Sequence, residues 1–95
     1  MSLSPITHVE YAASKQIQAH PCNFNGFTVQ ETGGSAAEVK VYDALSATGQ
    51  AVFDVKLTAN TSYTPPIVDG KGIRFVVGCY VQVVSGAVAG SVFTS

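Results

Sequence analysis

His8, His20 and Cys22 lie close together near the start of the chain, and His20-x-Cys22 is a spacing at which two side chains can share one metal ion. A closed zinc site needs four ligands. Cys79 is the remaining soft donor, and the alternation around it puts it on an apolar strand face, so the three residues read as polar side chains on an exposed segment. Gly33-Gly34-Ser35 has the composition of a phosphate loop but no lysine to reach a phosphate, and no Gly-x-Ser-x-Gly elbow occurs. Asp69-Gly70-Lys71-Gly72 has the cadence of a calcium loop. With Asp69 at the fifth position, however, the first and twelfth would be Pro65 and Val76, which offer no carboxylate. Asp43 and Asp54 fall near opposite ends of their segments, so no carboxylate pair is set up for acid–base work. The expectation is a protein that is not an enzyme and holds no metal and no cofactor.

What remains is binding, and composition narrows the partners. Ninety-five residues make one domain. Only 12% are charged and 46% are hydrophobic, which supplies enough apolar surface to offset the entropy of ordering the chain. Lys15, Lys40, Lys56, Lys71 and Arg74 are scattered and the net charge is −1, so there is no basic face for nucleic acid. The last 21 residues carry no charge and Gly86 to Gly90 spells a GxxxG motif, yet Gly78, Gln82, Ser85 and Ser91 punctuate the stretch. A hairpin accounts for it better than a membrane span. The N-terminus has neither the basic nor the apolar region of a signal peptide, so secretion by that route is not expected, and Cys22 and Cys79 are expected as two reduced thiols.

The elements that must position any binding surface are strands. Val, Ile and Thr number 14, 4 and 8 against 3 Leu, the inventory of a pleated sheet. Residues 1–22 read as an N-terminal arm or edge segment, with a short strand at Gln16–Ala19, and residues 23–95 as a β-sandwich. In the latter Phe27 and Val29 face inward, and Glu38–Asp43 and Ala51–Thr58 form a hairpin with Val39, Val41, Phe53, Val55 and Leu57 on its apolar side. Thr61–Pro66 is expected to cross between sheets, since consecutive prolines cannot sit in a central strand. Ile73, Phe75, Val77, Cys79, Val81 and Val83 occupy six alternate positions and are all expected in the core, with a bend or a break at Gly78. Ser85-Gly86-Ala87 then turns the chain into a closing strand over Val88–Thr94. The fold class is all-β: a small antiparallel sandwich, Greek-key or jelly-roll-like, of five to seven short strands.

The opposite parity carries the candidate interface. Val52, Val76, Tyr80, Val84 and Phe93 are apolar on strand exteriors, and Tyr42 and Tyr63 are candidate contact residues. A lone sandwich of this length buries only about 60–65% of its unfolded surface, so self-association would help it.

A family cadence runs through residues 28–94: Val39-Lys40-Val41-Tyr42-Asp43, Gly49, Val55-Lys56-Leu57, Pro66-Ile67, Gly72-Ile73, Gly78-Cys79-Tyr80-Val81-Gln82-Val83, Ser85-Gly86 and Gly90-Ser91-Val92. It resembles small structural proteins of tailed bacteriophages, chiefly capsid decoration (cement) proteins. The resemblance implies a non-catalytic β-sandwich in many copies on a virion, without saying where on it; the leading expectation is a capsid cement protein that bridges capsomers of a head assembled in the host cytoplasm. The expected partners are the major capsid protein and, because the apolar exterior should be covered, further copies in a homotrimer at three-fold junctions, with neither nucleic acid nor membrane. The alternative is a tail, fibre or baseplate accessory module binding a receptor or carbohydrate.

Overall fold

The computed structural model describes residues 7–63 and 73–95. Every element is a strand: β1 (Thr7–Tyr11), β2 (Lys15–Gln18), β3 (Cys22–Glu31), β4 (Ala37–Tyr42), β5 (Phe53–Leu57), β6 (Ser62–Tyr63), β7 (Ile73–Phe75), β8 (Cys79–Ser85) and β9 (Val88–Thr94). They form two antiparallel sheets, one ordered β1-β9-β3-β6 with β7 also on β3, the other β2-β8-β4-β5. No helix among the described residues is long and apolar enough to cross a membrane.

The wiring is that of one long hairpin rolled up. Its tip is the β4–β5 pair, with Val39 opposite Val55 and Val41 opposite Phe53. Behind the tip, β3 pairs with β6 and β7, β2 with β8, and β1 with β9. Rolling the ribbon brings β9 onto β3 and β8 onto β4, which splits it into two sheets. This is jelly-roll order, with β6 and β7 together filling one strand position. The sandwich is as expected from the sequence; among the described residues there are nine strands, because that one position is divided and residues 7–18 hold two strands.

The sequence leaves residues 1–22 open as an arm or an edge segment, and residues 7–18 lie at sheet edges. β1 and β2 are the edge strands of the two sheets, and Tyr11, Ile17 and Cys22 are buried. The apolar terminal stretch is also wired differently from a hairpin within one sheet. β8 and β9 lie in opposite sheets, so Ser85–Ala87 is a crossing. Gly78 likewise separates strands of different sheets, which overturns the continuous parity expected from Ile73 to Val83. Phe75, Cys79 and Val81 are buried as expected, whereas Val77 lies on the crossing and Ile73 on a strand with no outer neighbour among the described residues, and both are exposed. Val39, Val41 and Leu57 are buried; Phe53, Val55 and Val83 are half-buried against the core. β5 lies in one sheet and β6 in the other, so residues 58–61 make that crossing; Pro65, Pro66 and Asp69–Gly72 lie outside the described residues.

The core centres on four phenylalanines. Phe24 stacks on Phe75 with centroids 5.0 Å apart and planes 5° from parallel, and sits 5.5 Å from Phe53 and 5.9 Å from Phe27. Phe24 and Phe27 differ in parity, so a regular strand would send one outward. A bulge at Gly26 resolves this: the register slips between Phe24 and Gly26, whose φ of +134° suits glycine.

Each end of the sandwich is tied by a carboxylate. At one end Glu31 closes β3 facing inward and only 2% exposed, and its oxygens accept hydrogen bonds from the backbone N–H groups of Gly33, Gly34 (3.0 Å) and Asn60 (2.8 Å). The Asn60 bond foremost, and those from Gly33, Ser35 and Gly34, hold its carboxyl below the usual range against the opposing effect of burial. A carboxylate favoured in this way contributes stability above its unfolded value, and that contribution is lost as pH falls through the lower folded value. Stability should therefore start to decline below about pH 4.3. Glu31→Gln, which cannot carry the charge, is expected to lower the melting temperature at neutral pH and to flatten the acid side of the profile; thermal melts from pH 2 to 7 that superimpose on the parent's would contradict this.

Candidate interaction surfaces

At the other end Asp43 follows β4 and reaches the crossing between β7 and β8. Its carboxylate accepts from the backbone N–H groups of Val76 (3.0 Å), Val77 (2.9 Å) and Gly78 (3.3 Å). Burial pushes its carboxyl up, but the three donors outweigh that and hold it below the usual range. With their amides tied down, Val76 and Val77 project outward, 65% and 45% exposed. Leu45, 49% exposed, lies alongside: a Cβ placed on Gly78 would stand 3.0 Å from its Cδ2. Fixed backbone thus presents three aliphatic side chains to water, in a protein with little charge to mask them.

The seven residues expected at the interface do not form one surface. Val76 belongs to this aliphatic end, and exposed Val52 adjoins β4 there, its N–H donating to Val41 O at 2.7 Å. Val84 is exposed towards the far end of β8, and Tyr63 is exposed on β6 in the opposite sheet. Tyr80 and Phe93 are half-buried, the latter beside His8 with centroids 6.2 Å apart. Tyr42 is withdrawn: it is 6% exposed and its hydroxyl donates to Gln82 Oε1 at 2.8 Å. Its parity points outward, but the chain after β4 returns over this region, where Leu45 O accepts from Gln16 Nε2 at 3.1 Å. Leu45 and Val77 were missed because one lies in a loop and the other on strand-like alternation that the crossing interrupts.

A second feature lies on the outer face of the larger sheet. A groove of about 680 Å³ runs over β1, β9 and β3, lined by Glu10, Thr28, Gln30, Ser62, Ala89 and Ser91 among others. Its floor follows from parity, since inward-facing neighbours of these residues fill the core and leave short polar chains outside. Thr28 Oγ1 accepts from Ser91 N–H at 3.1 Å, which fixes one side chain of the floor.

The metal-like trio is dispersed. His8 is on β1, His20 is exposed with Nδ1 3.1 Å from Pro21 O, and Cys22 is buried at the start of β3; among the described residues no three His, Cys, Asp or Glu side chains gather at one point. Cys22 is therefore not the mobile thiol that an N-terminal arm would carry. Both cysteines are free and buried. Burial pushes the Cys22 thiol up, with Arg74 opposing and Asp43 adding, and burial with the neighbouring Cys22 pushes Cys79 up to about 12. Neither is a ready nucleophile. A thiol reagent is expected to modify neither in the native protein and both after unfolding; rapid native labelling of Cys22 would refute its burial.

No family model matches the chain, and neither a curated protein nor a solved structure matches it.

Proposed function

We propose that this protein is a non-enzymatic virion component, a capsid decoration protein that stabilises a phage head by bridging capsomers, with the major capsid protein and other copies of itself as partners. The observation that carries the reading is the aliphatic end where Asp43 holds Val76 and Val77 outward and Leu45 is exposed beside Gly78. A preformed apolar patch on rigid backbone suits association without reordering, and the ordering entropy of the docking segment is already spent in the free protein. Mass action supplies the rest: a module that binds only the assembled lattice stabilises it at every site it fills. The jelly-roll order is compatible with this role and does not by itself assign it. The test is stoichiometry and attachment together. Purified virions should contain the protein in hundreds of copies, and Val76→Asp with Val77→Asp should abolish binding to shells lacking the native protein; a few copies per particle, or unchanged attachment, would reject the reading.

The groove over β1, β9 and β3 favours the second reading, a tail, fibre or baseplate module. Its lining of Glu10, Thr28, Gln30, Ser62 and Ser91 offers hydroxyls, amides and a carboxylate to a hydroxyl-rich ligand such as a saccharide. Saturable binding of an oligosaccharide that Gln30→Ala weakens, with only a few copies per particle, would establish it instead.

A further inference from the structure

β5 is the last strand of its sheet, and among the described residues nothing pairs with its outer side. Successive residues of an antiparallel strand send their backbone groups to alternate sides, so half of the groups of β5 point away from β4. Its inner-face residues Phe53 and Val55 pack on the core yet are only half-buried, so the core itself is open along this edge. Natural edges are guarded by charge, especially lysine, which repels an incoming strand. Here the guard is Asp54 and Lys56, opposite in sign and symmetric about Val55: Phe53-Asp54-Val55-Lys56-Leu57 reads apolar, acid, apolar, base, apolar in one direction and apolar, base, apolar, acid, apolar in the other.

We infer that β5 pairs with β5 of a second copy, antiparallel and centred on Val55, joining the two four-stranded sheets across a two-fold axis. Such an interface is isologous, each residue meeting its complement twice. Within one copy Lys40 lies opposite Asp54 and Glu38 opposite Lys56 on the outer face. The dyad extends those pairs into a row Lys40, Asp54, Lys56 of the second copy, Glu38 of the second copy, alternating in sign across four strands, with a symmetric row beside it. Sliding the pairing by two residues in either direction sets Asp54 against Asp54 or Lys56 against Lys56. Odd shifts set inward faces against outward ones. One register is therefore selected.

A lysine from the second copy also suits the local field, since Asp54 next to Glu38, together with burial, raises the Glu38 carboxyl above its usual range. β1, an edge of the other sheet, carries no such row: its outward His8 and Glu10 lie opposite Phe93 and Ser91. The inference is independent of the virion reading, because it concerns the free protein.

Sedimentation at low salt should show a dimer at high micromolar concentration. Asp54→Lys and Lys56→Asp should each weaken it by about tenfold or more, and the double exchange should restore it, with thermal melts confirming that every variant is folded. Val55→Cys should form an intermolecular disulfide on mild oxidation and Asp54→Cys should not, because only residue 55 meets itself. A monomer, a trimer, a dimer indifferent to both single exchanges, or ready cross-linking through Val9→Cys in place of Val55→Cys would overturn the proposal. None of these results bears on attachment to shells through Val76 and Val77, so the two proposals fail separately.

Discussion

Replacing Phe24 by alanine should leave the domain barely folded. The ring is fully buried, stacks face to face on Phe75, and touches Phe27 from its own sheet and Phe53 from the other. Truncation removes the central contact of a four-ring cluster, and the neighbours, fixed in two sheets, cannot close the cavity, so the cost is about 3–5 kcal/mol. In a domain of this size each kcal/mol moves the melting temperature by about 4–8 °C, so the melting temperature should fall by more than about 12 °C. Phe24→Leu, which fills most of the site, should cost about 1.5 kcal/mol or less. Phe53→Ala should cost less than Phe24→Ala, because its site is already open along β5. Chemical denaturation of the three variants checks the ranking, and a Phe24→Ala loss below that of Phe53→Ala would show that the cluster is not the centre of the core.

The second large effect is expected at Gly90, where a single methyl group has nowhere to go. Gly90 lies between Tyr11 on β1 and Val29 on β3, and a Cβ there would overlap the backbone oxygen of Thr28 and stand 3.0 Å from Tyr11 Cε1. The obstacle is backbone, and the Tyr11 hydroxyl donates to the same oxygen at 2.9 Å, so neither neighbour can yield cheaply. Gly90→Ala should cost about 3 kcal/mol or more through strain and the loss of that hydrogen bond. Tyr11→Phe, which removes only the hydrogen bond, should cost about 1 kcal/mol. Equal losses in the two variants, measured by denaturant titration, would show that β9 accommodates the methyl group by shifting.

These two residues also mark what was legible in the sequence. The hairpin tip at β4–β5 was readable because its alternation is uninterrupted and its pairing is local. Phe24 was not, because the Gly26 bulge reverses parity between it and Phe27, three residues on, and only a glycine inside a strand pattern hinted at the reversal. Gly90 read as half of a GxxxG motif, since its true constraint is a close approach to Thr28, 62 residues away in sequence. The surfaces were less legible still. Period-two patterns say which side of a strand a residue takes but not which sheet the strand joins, so Val77 passed for core and Tyr42 for surface. Asp43 read as the end of a strand segment; that its carboxylate holds the 76–78 crossing depends on contacts more than 30 residues apart.

The rolled hairpin also sets the order in which the chain can assemble. β4 and β5 meet after closing a short loop, β2 and β8 enclose most of the chain, and the Thr7–Thr94 pairing of β1 with β9 spans nearly all of it. Closure entropy rises with span, and non-local pairings are slow to form. The tip should therefore nucleate, and the ribbon should zip from it towards β1 and β9. Pulse-labelled hydrogen exchange during refolding should find the amides of Val39 and Val41 protected before those of Val9 and Val92; the reverse order would mean that the sheets collapse before the ribbon forms. During that interval the ribbon is paired at its β4–β5 tip and unpaired at β1, so the segment that docks last is the one whose loss would most prolong the life of a partly folded chain.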